Sequence, residues 1–311
     1  MLKVNDPIKI ASFDGGGLRG WGPSYVLSKL QDEIGDFNPS EYFDVFSGTS
    51  TGAIIALSLA MGIDVKTLLE TYEKGKQLFF SNRYSKKDSV RIPIFPRFNN
   101  DVFVKFALNY VDKDVTLRDI WLRRKKTIIL YATNFTTGSP LIFATPDITG
   151  PYIVGSDYKI IDIFRAVVGA PSYFELMNMK IDGKKVLIGD GGMWANNPSS
   201  YTLKNCKENF GDDKKLHMLS FGNEYWEDIL FYDSYNQLKL ASLTQDLVKV
   251  STRSQMKYSS KMSNFLADRN FRFVIKENAE SPLDSLTDSF KEAVKKTYNI
   301  DREEIIDFIK N

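Results

Sequence analysis

The chain has 311 residues, 43% hydrophobic and 26% charged, an ordinary balance for a soluble globular protein of one large domain or two smaller ones. A net charge of +2 excludes strong overall steering toward nucleic acid polymer or anionic membrane and leaves that to local patches. One cysteine, Cys206, excludes an internal disulfide framework. Together with an N-terminus unlike a signal peptide, it points to a reducing, cytoplasmic setting.

In chain order, the sequence predicts strands over Lys9 to Phe13, Tyr42 to Phe46, Thr127 to Phe135, Leu141 to Thr145, Lys185 to Gly189 and His217 to Phe221. Between them helical patterns occupy Trp21 to Ile34, Thr51 to Met61, Val65 to Leu78, Asp101 to Val111, Ile161 to Val168 and Ser199 to Asn209. Thr116 and Asp119 have the spacing of a capping box. The alternation predicts an α/β fold with a mainly parallel sheet. The helix after Ser50 is apolar on every side, from Ala53 to Ala60, and should be buried. The apolar run Ala53 to Ile63 is too short to span a bilayer, so membrane contact is expected to be peripheral. Beyond residue 230 the texture is helical and polar, with one candidate strand at Phe271 to Ile275. No linker intervenes, so residues 1–225 are expected to form a catalytic α/β core and 226–311 a helical part packed on the same domain.

Gly48-Thr49-Ser50-Thr51-Gly52 is a G-x-S-x-G arrangement between a strand and a helix. An isolated match is most simply a helix cap, but a serine at a tight strand-to-helix turn projects its hydroxyl off the sheet. The N–H of Thr51 is placed there to help hold an oxyanion. The only histidine, His217, opens its strand, at the rim opposite the carboxyl ends where α/β chemistry collects. Asp190 instead closes a strand, followed by two glycines, so an aspartate whose basicity is raised by burial is the candidate base.

The third element is "FDGGGLRG" after the first strand. Gly15, Gly17 and Gly20 have dinucleotide-fingerprint spacing, but the second strand ends in Ser47-Gly48 with no acid for a ribose. The same backbone N–H groups suit a tetrahedral oxyanion, with Gly16 and Gly17 the preferred donors. Arg19 either braces this loop or meets a substrate phosphate.

These residues resemble the patatin-like phospholipase family: "DGGGLRG" (Asp14 to Gly20), "GTSTG" (Gly48 to Gly52) and "DGG" (Asp190 to Gly192), supported by "GAPSYF" (Gly169 to Phe174) and "ANNP" (Ala195 to Pro198). The resemblance implies an α/β/α sandwich and hydrolysis of acyl esters, typically of glycerophospholipids, without metal or other cofactor. It implies a Ser50–Asp190 dyad and an oxyanion hole around Gly15, Gly16 and Gly17. It also implies, through bacterial enzymes of this type that act in antiphage defence, a cyclic-nucleotide activator. The expected setting is peripheral, at the inner membrane face; oligomeric state stays open.

Two further patterns are singled out. "FSNRYSKKDSVRIPIFPRF" (Phe80 to Phe98) mixes cations with apolar residues and suits either interfacial docking or a partly buried loop with a basic side. Arg253, Lys257 and Lys261 recur every four residues on one helix face, which is either solvated or a site for an anionic ligand.

Overall fold

The computed structural model describes residues 6–81, 96–223, 240–279 and 281–311. Its centre is a mixed, mostly parallel sheet. The strands are β1 (Ile8–Phe13), β2 (Val45–Thr49), β3 (Thr127–Asn134), β4 (Ser139–Ala144), β5 (Ile153–Val154), β6 (Met177–Ile181), β7 (Lys184–Asp190), β8 (Leu216–Phe221) and β9 (Arg269–Phe273). They run in the order β5-β4-β3-β2-β1-β8-β9, with β7 joined to the end of β3 and β6 joined to β7. β1, β2, β3, β8 and β9 are mutually parallel, while β4 and β7 run antiparallel to β3.

Strand alternation sorts side chains into two cores. Ile10, Val45, Ile129, Tyr131 and Met218 face one side; Ala11, Phe13, Phe46, Leu130 and Leu219 face the other. Helices cover both faces. The larger core lies under α1 (Trp21–Glu33), α3 (Thr51–Ala60), α4 (Val65–Glu73), α6 (Asp101–Leu108), α8 (Ile160–Val167) and α12 (Asp288–Lys310). The smaller lies under α10 (Ser199–Phe210), with Leu203 and Cys206 buried, and the end of α11 (Leu240–Leu266). Short helices α2 (Pro39–Tyr42), α5 (Gly75–Phe79), α7 (Leu117–Arg124) and α9 (Gly192–Ala195) complete the layers.

Every residue of α3 is buried, as its all-round apolar surface requires. Its Ile54, Ile55, Leu57 and Leu59 each contribute about 2 kcal/mol of transfer free energy. α7 opens with the expected capping box: Thr116 Oγ1 accepts from Asp119 N–H while the Asp119 carboxylate accepts from Thr116 N–H at 2.8 Å.

Several boundaries differ from the sequence reading. Tyr42 ends a helical turn rather than opening a strand, because Asn38 caps Ser40 N–H and Pro39 occupies the first helical position. The helix expected over Val65 to Leu78 breaks at Lys74, where Gly75 lies under Leu18. β6 was not anticipated, although Asp182-Gly183, both at positive φ, make a tight hairpin turn between β6 and β7. The strand expected at Phe271 to Ile275 forms two residues earlier, as β9, which pairs in parallel with β8 and continues the same sheet. Among the described residues no helix is long and apolar enough to cross a membrane.

Candidate active site

β2 ends at Thr49 and α3 begins at Thr51, leaving Ser50 at φ 57°, ψ −124°. A non-glycine residue there stores roughly 1–3 kcal/mol of strain, and the turn aims the Ser50 hydroxyl out of the carboxyl rim of the sheet. The flanking glycines make the turn possible by close approach. A Cβ on Gly48 would overlap the Gly52 carbonyl, and one on Gly52 would overlap the Phe13 carbonyl. α3 therefore rides directly on the end of β1.

Asp190 reaches Ser50 by a route that parallel-strand reasoning does not supply. β7 is antiparallel to β3 and pairs only with Ala132, Thr133 and Asn134, the residues of β3 that extend past the end of β2. It thus points back toward the sheet from beyond the rim, and its last residue arrives beside the end of β2. Asp190 N–H donates to Gly169 O at 3.1 Å and Thr133 Oγ1 donates to Asp190 O at 2.7 Å, fixing the backbone. Burial raises the carboxyl pKa to about 6; the Ser50 hydroxyl and the Gly192 N–H, which donates to Asp190 Oδ1 at 2.7 Å, oppose that shift by hydrogen bonding. The Ser50 hydroxyl is thus within interaction range of the Asp190 carboxylate.

The glycine loop follows β1 and closes the same rim. Its first residue, Asp14, is fully buried, and its carboxylate is gripped by both terminal nitrogens of Arg272 on β9, itself only 7% exposed. Asn223 Nδ2 donates to Asp14 O at 3.0 Å, and Leu18 N–H donates to Leu283 O at 2.8 Å. Gly17 sits at φ 59°, and a Cβ there would also run into the Leu283 backbone.

The sequence reading places Gly15, Gly16 and Gly17 around the oxyanion, with Gly16 and Gly17 as the preferred donors. The structure removes Gly15 from that set, because its N–H donates to Asn196 O at 3.0 Å. Among the described residues no acceptor takes the N–H of Gly16, Gly17 or Thr51. Arg19 Nε donates to Gly16 O at 3.1 Å, a contact that braces the loop, and Arg19 also lines the cavity of the site.

Ser50, Asp190 and the loop open into a cavity of about 1020 Å³. One wall is aromatic: Phe80, Phe103 and Phe174 line it within a cluster in which Phe103 and Phe174 stand 5.1 Å apart. Other wall segments come from Val168, 170–174, Asn196, Thr252–Arg253 of α11, 278–279 and 281–283.

His217 is the second residue of β8, level with Lys9 of β1, so it lies about 13 Å down the strands from the Phe13 end. Burial lowers its pKa below the usual value. The cation row on α11 divides: Arg253 is half-buried and lines the cavity, while Lys257 and Lys261 are exposed. Of the Phe80 to Phe98 segment, residues 82–95 lie outside the described residues; Phe80 and Arg97 line the cavity.

Asn223, Arg272 and Leu283 have no motif to announce them. The usable signal was Asp14 itself: a carboxylate at the end of a buried strand demands a buried cation, and Arg272 stands between Phe271 and Phe273 of β9.

A family model for patatin-like phospholipase matches residues 11–203, more than half of the chain. A cGAMP-activated phospholipase of Escherichia coli is 28% identical over 69% of this chain and 62% of its own length. A cGAMP-activated phospholipase of Vibrio cholerae is 27% identical over 71% of this chain and 66% of its own. Both alignments thus span less than two thirds of the relative. The calcium-independent phospholipase A2-gamma of Rattus norvegicus is 28% identical over 89% of this chain and 36% of its own. The crystal structure of VipD from Legionella pneumophila superposes with a TM-score of 0.50 at 18% identity, covering 97% of this chain and 67% of VipD, a likeness of fold.

Proposed function

Since the chain belongs to the patatin-like phospholipase family, we propose that it is a serine acyl hydrolase cleaving ester-linked fatty acids from glycerophospholipids, with Ser50 as nucleophile and Asp190 as its base. One observation carries this reading. The Ser50 hydroxyl meets a buried carboxylate whose pKa is raised to about 6, beside backbone N–H groups with no acceptor among the described residues.

In this mechanism the Asp190 carboxylate takes the hydroxyl proton as Ser50 Oγ attacks the acyl carbonyl. The tetrahedral oxyanion receives hydrogen bonds from Gly16 and Gly17, and from Thr51 at the start of α3. Preorganised donors of this kind contribute about 3 kcal/mol each. Collapse breaks the ester C–O bond, and Asp190 returns its proton to the departing alcohol oxygen. Water then attacks the acyl-serine, Asp190 accepts its proton, and the fatty acid leaves as Ser50 Oγ is reprotonated. Raising the carboxyl pKa toward neutrality makes it a better base while keeping it ionised at pH 7. The aromatic wall takes the acyl chain.

A fluorophosphonate probe tests the nucleophile. It should label Ser50 covalently, and the Asp190→Asn protein should label far more slowly. An intact, folded protein that resists the probe would refute the reading.

The relatives named cGAMP-activated and cUMP-AMP-activated phospholipases support the further proposal that a cyclic oligonucleotide switches the enzyme on, in a cytoplasmic antiphage role at the inner membrane face. Cyclic di- and trinucleotides should then raise the lipase rate and the thermal midpoint. If both stay fixed across the series, the activation is wrong.

A further inference from the structure

The cavity wall has an unequal charge inventory. Its cations are Arg19, Arg97 and Arg253, and its only acid among the described residues is Asp190, which the proposed chemistry occupies. Arg97 lies over the Tyr173 ring, 4.9 Å from its centroid, and Arg19 is tied to Gly16 O. Arg253 differs from both. It is half-buried, and no ion pair, hydrogen bond or ring contact holds its guanidinium among the described residues.

Its backbone is held firmly. The next turn of α11 is stapled to the loop that follows Asp190: Gln255 Oε1 accepts from Asn197 N–H at 3.1 Å, Gln255 Nε2 donates to Asn197 O at 2.9 Å, and Asn197 Nδ2 donates to Met256 O at 3.2 Å. Asn196 Nδ2 lies 3.1 Å from Met256 Sδ, and Asn196 O holds the Gly15 N–H. Gly15 in turn lies against Ser50. Arg253 is three residues before Met256, about 4.5 Å along the helix axis. A chain of contacts therefore ties this part of α11 to the reacting centre, and Arg253 lines the same cavity as Ser50 and Asp190.

A guanidinium that lines a cavity and has no counter-charge among the described residues is open to an anionic ligand. Its planar fork matches tetrahedral phosphate oxygens. We propose that Arg253 is the phosphate anchor of this site, holding the headgroup phosphate of the substrate while the acyl ester lies over Ser50. This deepens, and rests on, the hydrolase reading above. It also separates Arg253 from Lys257 and Lys261, which stand outside the cavity.

The test compares two substrates with identical acyl chains, dihexanoyl phosphatidylglycerol and its headless counterpart dihexanoylglycerol, both below their aggregation thresholds. The readout is the ratio of their kcat/KM values. Arg253→Gln should lower that ratio about tenfold, through KM of the phospholipid, and Arg253→Lys should restore part of it. Inorganic phosphate and glycerol 3-phosphate distinguish the sources of the anion. Competition by both, weakened in Arg253→Gln, shows that phosphate alone is recognised; competition by neither, with the ratio still falling, shows that the anchor acts only on the intact lipid. An unchanged ratio in Arg253→Gln, with Ser50 still labelled by fluorophosphonate, overturns the anchor and leaves the hydrolase standing. Loss of Ser50 labelling in the unmutated protein overturns the hydrolase reading, and the anchor with it.

Discussion

The stretch that matches the family model, residues 11–203, and the stretch after it contribute to the site in different ways. The first supplies the proposed reacting groups: Ser50 on its strained turn, Asp190 at the tip of β7, and the glycine loop. The second supplies no proposed reacting group, yet it grips the loop at three points, through Asn223, Arg272 and Leu283. The motif specifies a flexible glycine segment, and glycine loses the most conformational freedom on ordering. Side chains from elsewhere must then hold it in shape. Chemistry is compact in sequence; preorganisation is spread along the chain.

Substitutions can break this contrast. Ser50→Ala should have the largest effect, about a 10⁶-fold fall in kcat with the fold intact, read as fatty acid release alongside a thermal melt.

Asp190→Asn should cost about 10⁴-fold in kcat and yet stabilise the protein. Its folded pKa lies above the ordinary 3.8, so ionisation opposes folding; that cost is absent below pH 3.8 and complete above about pH 6. Denaturant unfolding should therefore show Asp190→Asn more stable than the parent by about 3 kcal/mol at pH 8, a gain that vanishes near pH 3. Unfolding that shows no pH-dependent difference would mean that the carboxylate is not buried as charge.

Arg272→Gln tests the second region. Leaving Asp14 buried without its cation costs about 3–5 kcal/mol of stability. In the folded fraction kcat should fall about 100-fold, the loss expected when one oxyanion donor is misplaced, with KM nearly constant. Equal changes in kcat/KM and melting behaviour, with kcat per folded molecule unaltered, would confine Arg272 to a packing role.

The smallest effect sharpens the assignment of the base. His217→Ala should stay within about twofold of the parent, and kcat/KM should still fall as pH drops through about 6, because Asp190 sets that limb. A pH limb that moves in His217→Ala would transfer the proton-accepting role to the imidazole.

Much of the site is legible from residues because its parts obey local rules. Ser50 needs a G-x-S-x-G turn, whose two glycines the backbone contacts require, and the strand–turn–helix pattern around it can be read by periodicity. Asp190 was placed at the right rim by supposing that its strand runs parallel to the others. It runs antiparallel and enters from beyond β2, so the conclusion held for a different geometric reason. That pairing joins residues more than fifty positions apart, and nothing local encodes it. The β6–β7 hairpin was encoded locally, in Asp182-Gly183 between alternating Met-Asn-Met-Lys-Ile and Lys-Val-Leu-Ile, and could have been found. Gly15 looked equivalent to its neighbours because sequence does not show which N–H a distant carbonyl already occupies. Leu283 was hidden for the same reason, whereas the buried carboxylate of Asp14 asked for a cation without saying which one.

The overlap that any side chain at residue 52 would have with the Phe13 carbonyl has a consequence for variation. Gly20 stands in a similar relation to Thr51, whose Oγ1 would lie 2.6 Å from an added Cβ. The two turns are interlocked, so neither can be reshaped while its neighbour stays put. A saturation library at residue 52 should return glycine almost alone among active clones, and altered selectivity is better sought on the aromatic wall, where one ring can shrink without dislodging the machinery.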